Sequence, residues 1–266
     1  MPNKLDLQNI ELVDYFLAET ELIKRLCISK SDNKINFNLF SNLLSKPVGY
    51  NIFQEYTGFY VAINVLRKRL GFPQHEKPGD FDILIIPHSS ENIFFNRTCA
   101  IEVKVVRPTR MNPIKSPNSN GYNQVQGLIK DGFPLVGLIH ICMPEPLLEN
   151  EKQSIKFDLT PFDLDNPYNN KDFLKNSVNV KMDMFSWFSA ENQMKKLISK
   201  EIPKYVGLCT VGVNVSSIGN LVTLFDHDFN TSYEAGYFNP HLKTETIQKI
   251  EQFWNMNKDS FIHADK

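Results

Sequence analysis

The stretch "CAIEVKVV", Cys99 to Val106, decides how the middle of the chain is read. Ile101, Val103, Val105 and Val106 are β-branched and suit a strand. Glu102 and Lys104 interrupt the apolar run two residues apart. Side chains alternate across a strand, so positions i and i+2 share a face. An amphipathic strand facing solvent gives the same letters. However, the flanks Ala100-Ile101 and Val105-Val106 leave too little polar alternation for a simple solvated face. An acid and a base side by side on an otherwise apolar strand mark a candidate polar pocket.

Upstream, "FDILIIP" predicts a second strand, Phe81 to Ile86, and the short connection "HSSENIFFN" makes the pair an antiparallel hairpin. Before it, Ile52, Phe53, Tyr56, Phe59, Tyr60, Ile63 and Leu66 recur at helical steps. They predict a helix with Glu55 near its start and an end at Gly71 and Pro73. Downstream, Pro108, Pro113, Pro117 and "SNG" make residues 107–123 a loop, expected to be mobile. "NQVQGLIKDGF" predicts a short helix, and "LVGLIHICM" a strand buried on both faces. Residues 8–27 carry a helical pattern. Beyond 143 lie a possible edge strand at Ile155 to Leu159, a helix over "DMFSWFSAENQMKKLISKEI", strands in "KYVGLCTVGVNV" and "NLVTLFDHD", and a final helix over "KTETIQKIEQFWNMNK". No composition shift marks a linker, so residues 1–266 read as a single domain.

The order of Glu55 helix, "PGDFDILIIP", "CAIEVKVV", Gln124 helix and "LVGLIHICM" resembles the PD-(D/E)xK nuclease superfamily. That family's core is a helix, a three-stranded meander, a helix and a strand. Its acid opens one strand, and its E-x-K stands on the next. The resemblance covers about residues 50–143, with 1–49 as a helical extension and 144–266 as an α+β elaboration. It implies an α/β fold with a restriction-endonuclease-like core: a mixed central sheet flanked by helices.

By the same resemblance, Asp82, Glu102 and the backbone carbonyl of Val103 hold Mg²⁺, with Mn²⁺ as a substitute. Oxygen ligands suit these hard ions. Lys104 polarises the attacking water and offsets phosphate charge. Glu55 resembles the family's helical acid and touches a second metal or its waters. Asp80 competes with Asp82 for the ligand position. Asp82 is preferred because it stands directly before "ILII". Gln124, with Leu128 four residues on, resembles a loose family motif that orients the lysine or the DNA. An ordinary Gln on an exposed helix turn is an equal reading. The activity implied is metal-dependent hydrolysis of DNA phosphodiester bonds, in restriction or antiphage defence, by a homodimer or within a larger defence or repair complex. The alternative is an inactive nuclease-fold subunit that binds DNA or protein.

Formal net charge is −1, which excludes a uniformly basic nucleic-acid coat but leaves room for local patches. Arg107, Arg110 and Lys115 follow the E-x-K strand directly and are candidate phosphate contacts. Arg67, Lys68 and Arg69 read better as a solvated helix end. "DHD", Asp226 to Asp228, reads as a turn, because consecutive residues on a strand point to opposite faces. His140 reads as a core histidine, and no phosphate-binding G-x-x-x-x-G-K-[ST] loop is present. Cys27, Cys99, Cys142 and Cys209 form no C-x-x-C pair, which suits a reducing, cytoplasmic setting. No apolar run approaches the ~20 residues of a membrane span.

Overall fold

In the computed structural model of the protein, the described residues are 19–27, 57–73, 79–117, 120–158, 177–215, 221–222, 231–234 and 236–265. Helix α1 (Glu19–Cys27) precedes an antiparallel meander of β1 (Gly58–Val65), β2 (Phe81–His88) and β3 (Cys99–Val106). Helix α2 (Tyr122–Asp131) then crosses over to β4 (Leu135–Cys142), which lies parallel to β3. A two-stranded sheet, β5 (Gln153–Asp158) with β6 (Ser177–Met182), leads to α3 (Phe185–Ile198). β7 (Gly207–Gly212) returns parallel to β4. A short pair, β8 (Asn214–Val215) and β9 (Leu221–Val222), comes before β10 (Thr231–Glu234). Helix α4 (Thr244–Met256) and β11 (Ile262–Asp265) follow.

The main sheet is mixed and seven-stranded, in the order β10-β7-β4-β3-β2-β1-β11. It therefore reaches well beyond 50–143: β7, β10 and β11 all come from the last sixty or so residues. One face packs Leu22 and Ile23 of α1 on Phe59, Val61, Ile83, Ile101, Val103 and Ile139. The other face is covered by residues of α2, α3 and α4, among them Leu128, Met194 and Phe253. β4 is buried along its whole length, as its unbroken apolar run requires.

The helix expected over Ile52 to Leu66 is corrected. From Gly58 to Val65 the chain is strand β1, and the residues before 57, Glu55 included, lie outside the described residues. The reason is physical. β1 is paired on both edges and faces apolar layers on both sides, with Phe59 and Val61 in one cluster and Ala62 and Val65 in the other. A strand buried on two faces is apolar at nearly every position, so it also satisfies a helical spacing. Asn64, at φ 53, lets Ala62 and Val65 point the same way and breaks the period of two that would have exposed the strand.

The solvated reading of Arg67 is also corrected: it is 1% exposed. Its guanidinium grips Asp131, at the end of α2, through two bonds of 2.7 and 2.8 Å, and its Nε donates to the Pro73 carbonyl at 2.9 Å. The rings of Phe72 and Phe81 lie against it. This fork ties the turn after β1 to the crossover helix. Lys68 and Arg69 remain exposed, as expected.

Candidate active site

The site begins where β2 and β3 part. Their ladder runs only from Ile85–Cys99 to Ile83–Ile101, while β3 goes on pairing with β4 to Val106. Beyond Ile101, the N–H groups of β3 that face β2 have lost their strand partner. Buried N–H groups must be satisfied. Val103 N–H donates to Asp82 Oδ2 at 2.7 Å, and Val105 N–H donates to Glu19 Oε2 at 3.2 Å. Two carboxylates thus replace the missing strand. A residue's N–H and C=O leave a strand on the same edge, so the Val103 carbonyl also faces this fork.

On the face of β3 shared with α2, Lys104 Nζ lies 2.7 Å from Glu102 Oε1 and 3.5 Å from Glu19 Oε1. Glu102 is only 4% exposed. The fork therefore gathers Asp82, Glu102 and Glu19 around one lysine. Burial pushes the Glu102 carboxyl up to about 7, with the nearby Asp82 adding to the rise and Lys104 opposing it. Burial likewise pushes Asp82 up to about 6, against the Val103 hydrogen bond and Lys104, with Glu19 and Asp80 adding to the rise. Burial works to lower Lys104, but Glu102, Glu19 and Asp82 outweigh it and hold the ammonium above its ordinary value. Asp80 is occupied elsewhere: its Oδ1 accepts from Arg67 N–H at 3.1 Å.

Two buried carboxylates that resist ionising are a site short of positive charge. Among the described residues, no group of three or more His, Cys, Asp or Glu side chains converges at metal-ligand spacing. The oxygens that could serve as donors at the fork are those of Asp82, Glu102 and the Val103 carbonyl. An all-oxygen set of this size fits Mg²⁺, which binds through one or two carboxylates and keeps several waters. The chemistry of these donors therefore fits the ion that the sequence suggested.

Gly121, directly before α2, closes the floor. It adopts φ +74, and an added Cβ would come within 2.6 Å of Leu138 Cδ1, 3.4 Å of Lys104 Cγ and 3.5 Å of Glu102 Cγ. The positive φ and the closeness of Leu138 favour glycine here, and its backbone lies in ordinary contact distance of both charged stems. Asn120, one residue earlier, accepts at 3.3 Å from the ring of His140, whose place in β4 is beside Lys104. His140 is buried, as expected for a core histidine, and burial lowers it to about 4. Gln124 is half-buried in the first turn of α2.

The three loop cations differ. Arg110 is gripped by Glu145, its Nε at 3.0 Å and one Nη at 2.8 Å, and approaches Glu151 at 3.5 Å. It braces the loop rather than reaching outward. Arg107 is half-buried and Lys115 is exposed. The loop expected to be mobile is tied to α3 over residues 114–116. Asp226 to Asp228 lie outside the described residues. Sequence reasoning missed Glu19, Gly121 and the meeting of His88 with His263, whose Nε2 atoms stand 2.8 Å apart. Glu19 lies within the helical pattern read over residues 8–27, where an acid on a polar face is ordinary, so nothing singled it out. Comparison of the chain with protein-family models, curated proteins and solved structures found no match.

Proposed function

We propose that the protein is a Mg²⁺-dependent DNA endonuclease with a restriction-endonuclease-like core, hydrolysing phosphodiester bonds at Asp82, Glu102 and Lys104. The observation that carries this reading is the fork between β2 and β3. It leaves two buried carboxylates and an ion-paired lysine together at a strand edge. Among the described residues the element order α1, β1-β2-β3, α2, β4 supports it, since that is the order of the family resembled.

Bound by Asp82, Glu102 and the Val103 carbonyl, Mg²⁺ supplies Lewis acidity toward a phosphodiester oxygen and toward a water. The rest is done by the chain. Lys104, kept protonated by its acidic neighbours, offsets phosphate charge and donates a hydrogen bond to the attacking water. Glu19 restrains Lys104 from the far side. Gly121 brings the start of α2 close to both stems.

The test is incubation of supercoiled plasmid, linear duplex and single-stranded DNA with Mg²⁺, Mn²⁺ or EDTA. Cleavage is expected with either metal, and none with EDTA or with Glu102→Ala. Intact DNA in every lane, or cleavage that persists in EDTA, sinks the proposal.

A further inference from the structure

Beyond β3 the chain makes a feature that the site itself does not need. Thr109 and Asn112 exchange backbone hydrogen bonds of 3.3 and 3.0 Å, closing a tight turn with Arg110 and Met111 at its tip. The Thr109 hydroxyl accepts a further bond from Asn112 N–H at 3.1 Å. Glu145 clamps Arg110 through backbone and guanidinium, and Glu145 N–H donates to the Pro108 carbonyl at 2.9 Å. From α3, Gln193 donates to the Lys115 carbonyl at 2.8 Å, while Lys196 bonds the Ile114 carbonyl and the Ser116 hydroxyl.

What this bracing presents is apolar. Met111 is 94% exposed and Ile114 is 65% exposed. Turn tips favour Gly, Asn, Asp and Ser, and a loose loop would let a flexible methionine fold down onto the protein. Single exposed apolar residues need no explanation. A methionine at the tip of a turn pinned from several sides does. The surroundings say what it meets. Residues 107–117 hold three cations and no acid, and α3 adds Lys195 and Lys196. Glu145 and Glu151 sit on Arg110 and offset its charge, so the positive charge beside the tip comes from Arg107, Lys115, Lys195 and Lys196. Met111 is seven positions on from Lys104, so the tip lies at most ~25 Å from the site. That is within one ~34 Å turn of duplex DNA.

We infer that the 109–112 turn is a wedge, with Met111 and Ile114 inserting between base pairs of double-stranded DNA beside the cleaved bond. The inference rests on the nuclease reading and narrows its substrate to duplex DNA that unstacks at a deformable step. Apolar wedges of this kind kink duplexes, and a pinned turn enters the stack without first having to be ordered.

The test uses the full chain carrying Lys104→Ala, so that DNA is bound and not cut. The DNA is a set of duplexes with 2-aminopurine placed in turn at successive TA and CA steps. Binding should raise 2-aminopurine fluorescence at one step or a few. Met111→Ala with Ile114→Ala should abolish the rise and weaken duplex binding about tenfold or more, with single-stranded DNA affected less. Met111→Leu, which keeps the apolar bulk, should restore both. If the wild-type chain cuts duplex DNA but no step brightens and the alanine pair binds equally well, the wedge falls and the nuclease reading stands. If the alanine pair instead turns a sedimenting dimer into a monomer, the tip is a self-association surface and the wedge is again refuted. If the wild-type chain neither binds nor cuts any DNA, both readings fall.

Discussion

Glu102→Gln tests the electrostatics of the fork without any assumption about substrate. Burial and Asp82 raise the folded Glu102 carboxyl from 4.5 to about 7. Between those two values the native chain holds a proton that the unfolded chain has released. Stability must therefore fall as pH rises from about 4.5 to about 7, and level off above that. A shift of this size corresponds to about 3 kcal/mol at most, and sharing the proton with Asp82 reduces it to about 2 kcal/mol. Gln keeps the shape and loses the titration. In EDTA at pH 8, Glu102→Gln should be more stable than wild type by about 2 kcal/mol, or about 4–8 °C in Tm for a chain of this size. At pH 5 the two should nearly coincide. His140, lowered to about 4 by burial, adds the opposite slope, with stability lost as pH falls from 6.5 toward 4. That slope is common to both chains and cancels in the difference. Mg²⁺ should invert the ranking at pH 8, stabilising wild type by about 3 kcal/mol at a hundred times its Kd and leaving the variant nearly unchanged. The assay is guanidinium melting across pH 5–8, with and without Mg²⁺. A wild-type-minus-variant difference that stays flat with pH, or equal stabilisation of both chains by Mg²⁺, would refute the account of the fork.

Four further outcomes follow from the same contacts. Lys104→Ala should lower cleavage by about 10²–10⁴ while calorimetric Mg²⁺ affinity holds or rises; a wild-type rate would make the pair merely structural. Glu19→Ala, which strands Val105 N–H and frees one side of Lys104, should cut the turnover rate more than tenfold with Mg²⁺ affinity intact; collapse of that affinity would make Glu19 a ligand instead. Arg67→Ala leaves Asp131 buried and unpaired and should cost about 3–5 kcal/mol in denaturant melts, whereas a loss near zero would show the Arg67–Asp131 pair dispensable. Gly121→Ala must strain a φ of +74 and displace Leu138, so it should destabilise by about 1–3 kcal/mol and slow cleavage together; unchanged values of both would mean that the Gly121 backbone does not set the site.

The strands at Phe81 and Cys99, the crossover helix and β4 were legible because each has one strong local signal: a short β-branched run, or a helix ended by glycine. Asp82, Glu102 and Lys104 were legible as a group because a hairpin fixes how far apart in sequence they stand. β1 was not, because burial on both faces erases the period that separates strand from helix. The helix expected from Ile52 is a strand from Gly58 on, and Glu55 itself lies outside the described residues. Glu19 lies 85 residues from Lys104 in sequence, and no local pattern reports a contact that only the folded sheet creates. Arg67 failed for a related reason. Its burial depends on Asp131, 64 residues away, and a run of basic letters does not show which one has found a partner.

The fork also divides the labour among the three acids. Asp82 commits Oδ2 to Val103 N–H, and Glu102 commits Oε1 to Lys104. In the proposed site the second oxygen of each would meet the ion, so both could hold it without giving up the bond that positions them. Glu19 differs: one oxygen serves Val105 N–H and the other faces Lys104. For Glu19 to ligate a cation, it would have to leave β3 with an unpaired N–H or release the lysine, at a cost of about 1–3 kcal/mol for the stranded group. In the proposed mechanism Glu19 is therefore a positioning residue that would act through Lys104. The end of pairing between β2 and β3 makes all of this possible. Had the ladder run on past Ile101, Val103 and Val105 would have bonded to β2. The three carboxylates would then have had no reason to converge on one lysine, and the acid and base of "EVK" would have been an ordinary pair on the face of a sheet.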